Sequence, residues 1–195
     1  MNKWVIGILV AVLLVGGWFV SAYNSFVGVN EGVATAWSQV ENVYQRRLDL
    51  IPNLIETVKG ITKQEQAVFL GVTEARAKVG QFTLTQEMLD NPETLKKFQA
   101  AQGELGGTLT KLFAVSENYP QLKSNENFLA LQSELEGTEN RVAVERKRFN
   151  DAVLAYNLKA KAIPGKWLVS WFGFDAQKAL FAADAEAKTV PKVKF

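Results

Sequence analysis

A chain of 195 residues holds one domain with a sizeable core and little room for a second. Its 22 Lys plus Arg against 20 Asp plus Glu leave a net charge of +2, without the basic surplus of a nucleic-acid binder, so no nucleic-acid partner is expected. Histidine and cysteine are both absent, which excludes disulfides, thiolate chemistry, Cys/His metal sites, imidazole bases and any lipid carried on a thiol.

Residues 4–20 (WVIGILVAVLLVGGWFV) are uncharged, and after Lys3 the next charge is Glu31. Such a stretch, wound as a helix, rises about 25–30 Å, the thickness of the hydrocarbon layer. Trp4 stands at one end and Trp18, Phe19 and Tyr23 at the other, as interfacial aromatics do. The pattern predicts a transmembrane anchor over residues 1–23. The competing reading is a cleaved signal peptide, with Lys3 as its basic region and Val20-Ser21-Ala22 as its cleavage site. Length, bulky terminal aromatics and the absence of a helix breaker favour the retained anchor. Lys3 lies on the short side, and residues 24–45 carry no Lys or Arg before Arg46 and Arg47. The positive-inside rule therefore places the bulk of the chain outside the cytoplasm.

Residues 24–163 are expected to form an elongated antiparallel bundle, making the fold all-α. The first seam reads Trp37, Val40, Tyr44, Ile51, Leu54, Val58, Ile61, then Phe69, Val72 and Val79, in the heptad rhythm of a coiled coil. Pro52 interrupts this seam but its phase continues, which predicts a kinked helix, or two stacked pieces, running to Val79. Asn91-Pro92-Glu93 reads as a capped helix start, and that helix runs to about residue 118 through Gly103, Gly106 and Gly107 before Tyr119-Pro120 ends it. Ser124 opens the last long helix, whose stripe is Phe128, Leu131, Leu135, Val142, Phe149, Val153 and Tyr156. Gly137 inside it costs up to about 1 kcal/mol against alanine. Ile163-Pro164-Gly165 stops it. Residues 164–195 then hold an aromatic stretch (WLVSWFGF), a short Ala-rich helix and an exposed end.

The block QRRLDLIPNLIETVKG at residues 45–60 resembles the signature of the LemA family. So does ENFLALQSELEGTENRVAVERKRFNDAVLAYN at 126–157, and so does the closing Pro191-Lys192-Val193-Lys194-Phe195. The resemblance spans nearly the whole chain. It implies a bacterial membrane protein with an N-terminal anchor and an elongated bundle of long helices, which here means a single pass through the inner membrane. Gln64 departs from the family's pattern, which often has His there in a His-Glu pair before Ala75-Arg76, so no role for that His carries over.

Three sets of residues invite a functional reading. Arg46, Arg47 and Asp49 lie beside the first seam, and Glu139, Arg141, Glu145 and Arg146 beside the last. They read either as inter-helical pairs that set register or as solvated flanks of the core. A carboxylate-lined site built on Glu139 and Glu145 is the alternative. No Gly-rich phosphate loop, nucleophile elbow or metal spacing supports catalysis, so no catalytic residue and no cofactor are assigned. Trp167, Leu168, Val169, Trp171, Phe172 and Phe174 are too apolar for an exposed tail; they read as a cap on the bundle, an oligomer contact or a membrane-dipping loop. Three long passes of roughly 80, 40 and 55 Å leave that stretch at the end far from the membrane. A second helix shorter than the first leaves Phe26, Val27, Val29 and Val33 without cover near the bilayer, and so marks them as oligomer contacts. The expectation is a membrane-anchored homo-oligomeric scaffold that organises membrane or envelope proteins. The runner-up is a non-catalytic accessory of a membrane enzyme such as an envelope protease.

Overall fold

The computed structural model describes residues 2–59 and 66–182, and no β-strand forms among them. The first helix, α1 (Lys3–Lys59), is one unbroken run of 57 residues, about 85 Å at 1.5 Å per residue. Its most apolar 18-residue window, near the N-terminus, has a mean hydropathy of 2.5 and is not buried by the rest of the fold. A band of bare Ile, Leu and Val of this length is costly in water and favourable in hydrocarbon. The protein is membrane-associated, and this segment is long and apolar enough to cross a bilayer. From Phe26 onward α1 changes character. Phe26, Val33, Trp37, Val40, Tyr44, Ile51, Leu54 and Val58 are buried along one face, at the three-four spacing the sequence showed.

Pro52 lies inside α1 on its exposed side and does not end it. Proline has no N–H to give the carbonyl four residues back, which here belongs to Leu48. Arg76 supplies the missing donor: its Nε donates to the Leu48 carbonyl at 3.1 Å. The helix thus crosses its proline with the orphaned acceptor satisfied by a neighbouring helix.

That neighbour corrects the expected topology. The seam does not run on in one direction to Val79. After Lys59 the chain reverses, and α2 (Gln66–Val79) descends beside α1, with Arg76 at the height of Leu48. A short 3₁₀ turn, Gln86–Asp90, leads into α3 (Pro92–Ser116), which rises again. Lys78 of α2 meets Glu104 of α3 at 2.6 Å, while the rings of Tyr44 and Phe98 meet edge-on at 5.0 Å. A single turn, α4 (Pro120–Lys123), precedes α5 (Glu126–Lys161), which descends along α1. Trp37 meets Phe149 at 5.4 Å and Phe26 meets Tyr156 at 5.3 Å. Among the described residues the passes number four, not three. Phe69, Val72, Ala75 and Val79 keep the heptad phase and are buried, but phase alone cannot separate a continuing helix from one folded back. Ile61 and Gln64 lie outside the described residues.

The caps follow the sequence closely. Asn91 accepts from the Thr94 amide at 3.1 Å, with Pro92 at the first helical position. The cap of α5 is Asn125 rather than Ser124; its side chain accepts from the Phe128 amide at 3.0 Å.

An even number of passes returns the end of α5 to the membrane side, where Lys159 Nζ donates to the Ser25 carbonyl at 2.6 Å. The chain then turns into α6 (Gly165–Phe172). Gly165 is buried in this corner, where an added Cβ would come within 1.8 Å of the Lys159 carbonyl oxygen, so only glycine fits. Gly173, at φ 72°, closes α6 in the left-handed conformation. Residues 174–182 are not helical, and the rest of the Ala-rich stretch lies outside the described residues. They form a strap climbing the groove between α1 and α5. Three side-chain amides hold it as a strand partner would. Asn157 pairs with both backbone groups of Lys178 at 3.0 and 2.8 Å, and Asn150 with those of Phe181 at 3.0 and 2.9 Å. Gln99 does the same for Ala182 at 2.9 and 3.2 Å. The closing block 191–195 lies outside the described residues.

Candidate functional site

The strap and α6 change the standing of the expected contact residues. Phe26 and Val33 are fully buried within the chain, Phe26 beneath Tyr156 and Phe174 (ring centroids 5.3 and 4.8 Å). Val27 and Val29 are half-buried. The membrane-proximal part of α1 therefore has intramolecular cover, contrary to the expectation, because α5 descends to it and the strap begins beside it. The aromatic stretch is likewise not at the far end. Phe19 packs on Trp171 and Phe172 at 5.9 and 6.2 Å, and Tyr23 on Phe172 and Phe174 at 4.8 and 6.1 Å. It forms a collar where α1 leaves its bare apolar band. Leu168 faces inward and is buried; Trp167, Trp171 and Phe172 are exposed.

The charged residues divide. Arg47 is buried, and its guanidinium bonds Glu139 Oε2 at 3.0 Å and Gln102 Oε1 at 3.3 Å, joining α1, α5 and α3. Arg46 pairs with Glu134 of α5, a partner the sequence reading passed over. Asp49 accepts from Gln45 at 2.9 Å and Glu145 pairs with Arg148 at 2.7 Å, both within their own helices. Arg141 is exposed. Arg146 donates to the Ala182 carbonyl at 3.0 Å, with its guanidinium carbon 5.1 Å from the centre of the Phe181 ring, which ties it to the strap. Glu139 and Glu145 form no shared carboxylate site.

Arg47 floors an open cleft of about 870 Å³ between α3 and α5. Gly103, Gly106 and Gly107 explain the opening. Without side chains there, α3 presents bare backbone to the cleft, and Gly106 leaves room for Arg47, whose Nη2 would lie 3.2 Å from an added Cβ. Glu136, Glu139 and Val142 form the facing wall, and Ala182 stands at one end. Gln102 Nε2 is buried in the cleft lining and has no hydrogen-bond partner among the described residues. Such a donor is costly unless something accepts from it. The cleft can hold a polar, extended segment. It offers no nucleophile paired with a base, and no group of three Asp or Glu that could hold a metal occurs among the described residues.

A second charged cluster anchors the strap. Lys178 Nζ, little exposed, bonds Asp175 at 2.7 Å and Asp90 at 3.4 Å, and lies 5.1 Å from the centre of the Tyr156 ring. Burial raises the Asp90 carboxyl above its ordinary range, although the Lys178 charge pulls it down. Burial pushes Asp175 upward too, but there the hydrogen bond and charge of Lys178 prevail and hold it low. Burial, then the charges of Asp175 and Asp90, push the Tyr156 phenol up to about 12; its hydroxyl donates to the Asp175 carbonyl at 2.8 Å.

The outer face of α5 carries Leu129, Val144, Leu154 and Leu158, all about half-exposed. At 100° per residue they fall within about 80° of one another. Leu154 and Leu158, one turn apart, stand just above the membrane side, next to the Lys159–Ser25 contact.

The LemA family model matches residues 36–195. Magnetosome protein MamQ 2 of Paramagnetospirillum magneticum is 27% identical over 168 residues, which cover 78% of this chain and 62% of that protein. Magnetosome protein MamQ of Magnetospirillum gryphiswaldense is 26% identical over the same coverage. The chain thus spans just over three-fifths of the length of these curated relatives. A probable prefoldin subunit 2 of Dictyostelium discoideum is 26% identical over 116 residues, 59% of this chain and 95% of that protein.

Proposed function

The chain belongs to the LemA family, and we propose that it is a non-catalytic, membrane-anchored helical scaffold that assembles with further copies of itself to organise partners at the membrane. The observation that carries this reading is the apolar stripe on α5. One face of α5 is filled by α1, α6 and the strap, yet Leu154 and Leu158 still point outward. Leu154 and Leu158, one turn apart, make a small apolar patch on that outer face. An anchor confines copies to two dimensions with these faces at one height, which raises their effective concentration. Identical contacts of this kind close into small symmetric assemblies. Two differently tagged full-length copies, expressed together and gently solubilised, should co-purify. Replacing Leu154 and Leu158 together by glutamate should abolish the co-purification while leaving helicity unchanged. Wild-type copies that never co-purify would contradict the proposal.

The cleft favours a second reading, an accessory that binds a segment of a membrane enzyme. Its bare α3 backbone and unpartnered Gln102 amide suit an extended peptide, whose carbonyl would accept from Gln102 Nε2. Co-purification of a monomer with an enzyme, lost on Gln102→Leu, would favour this reading over self-assembly.

A further inference from the structure

We infer that α6 is a second lipid-embedded element: an interfacial helix that inserts Trp167, Trp171 and Phe172 into the leaflet from which α1 emerges, clamping the domain against the bilayer. The inference rests on the reading of α1 as the membrane anchor.

The argument begins with the corner. Gly165 lies so close to the Lys159 carbonyl that α6 leaves α5 in a fixed direction, and Lys159 is itself tied to Ser25 of α1. Along α6, Leu168 turns inward and is buried, while Trp167, Trp171 and Phe172 are 44%, 67% and 50% exposed. Ile163, just before it, is 67% exposed. In water this would be an unusually greasy face for eight residues.

What covers that face is indicated by where it lies. Trp171 and Phe172 touch Phe19, within the uncharged run of α1, and Trp167 stacks beside Trp171 at 6.5 Å. Trp167 and Trp171 line a hollow of about 730 Å³ together with Val12, Val15, Trp18 and Phe19, and no residue lining it is charged. The exposed face of α6 is therefore continuous with the bare apolar band of α1. Whatever solvates that band solvates α6. Trp18, Trp167 and Trp171 meet at this hollow, which reaches from Phe19 near the end of the band down to Ile8; three indoles at the end of an apolar band are the composition of an interfacial aromatic belt, where an indole keeps its ring in the acyl region and its N–H near the headgroups. Lys161 and Lys166, both exposed on either side of Ile163, suit the headgroup level. A short helix with this division lies in the plane of the interface rather than spanning it.

The absence of cysteine makes the test direct. Single cysteines are placed by Trp171→Cys, by Ser170→Cys in case loss of Trp171 disturbs α6, by Val12→Cys within the anchor, and by Ser133→Cys on the exposed side of α5. Each full-length variant is spin-labelled in phospholipid vesicles, and its collision rates with oxygen and with a water-soluble nickel chelate are compared. The expected result is a ratio of oxygen to nickel accessibility at residue 171 or 170 several-fold above that at 133 and approaching that at 12. A ratio at both 170 and 171 equal to that at 133 would overturn the inference while the anchor stood. Low accessibility to both reagents at 171 would also overturn it, because protein rather than lipid would then cover the face. A water-like ratio at residue 12 would remove the anchor reading and the inference with it.

Discussion

Replacing Arg76 by alanine removes the donor that α2 gives to the Leu48 carbonyl of α1. Hydrogen bonds from charged groups contribute about 1.5–3 kcal/mol, and because Arg76 is only partly buried, screening brings the expected loss to about 1–2 kcal/mol. For a domain of this size each kcal/mol shifts the melting temperature by roughly 2–4 °C. The sharper test is its dependence on Pro52. Pro52→Ala restores a backbone N–H that can donate to Leu48, so in that background Arg76→Ala should cost no more than about 0.5 kcal/mol. Thermal unfolding of the four full-length proteins, followed by helical ellipticity in one detergent, gives the cycle. A coupling of about 1 kcal/mol is expected, because the two residues serve one acceptor. A coupling inside the additive range of about 0.3–0.5 kcal/mol would refute the account of how α1 crosses its proline.

Three further outcomes follow from the packing. Gly107→Ala, with open space around its added Cβ, should stabilise by up to about 1 kcal/mol, whereas Gly106→Val must displace the Arg47 guanidinium and should lower the melting temperature; the same melts check both. Phe26→Glu should destabilise the whole domain, since it puts a carboxylate under Tyr156 and Phe174; an unchanged melting temperature would mean that Phe26 is not covered. The Tyr156 phenol should ionise well above the ordinary tyrosine range. Its folded value lies above the unfolded one, so its stabilising contribution is complete below about pH 10 and is lost as pH rises through about 12; phenolate absorbance during alkaline titration reads this directly.

How much was legible in the sequence depended on the kind of signal. The apolar segment of α1 stood out because its seventeen residues carry no charge, and the seams of α1 and α5 because Trp37, Tyr44, Phe149 and Tyr156 recur at helical spacing. Asn91-Pro92 marked its helix for the same local reason. The direction of each pass was not legible. Val58 and Phe69 share a heptad phase whether the chain continues or doubles back, and that one reversal moved the aromatic stretch from the far end to the membrane. It also invalidated the argument that left Phe26 and Val33 bare. The strap was hidden for a different reason. Its partners are the side-chain amides of Gln99, Asn150 and Asn157, which look like ordinary polar positions on their helices until the strap lies beside them. Gly106 and Arg47 are 59 positions apart in the numbering, and neither announces the other. Leu154 and Leu158 were visible as letters but lay off the stripe that periodicity selected.

Self-assembly is the centre of the functional account, and the mass of the full-length protein in lipid nanodiscs tests it most directly. The discs should be large enough to hold several copies, with protein loaded over a wide range of ratios. The account predicts one discrete oligomeric mass that persists as loading falls, and collapse to the monomer on combined Leu154→Glu and Leu158→Glu substitution with helicity unchanged. A wild-type protein that remains monomeric at every loading would contradict it and promote the reading in which the α3–α5 cleft holds a segment of a partner enzyme.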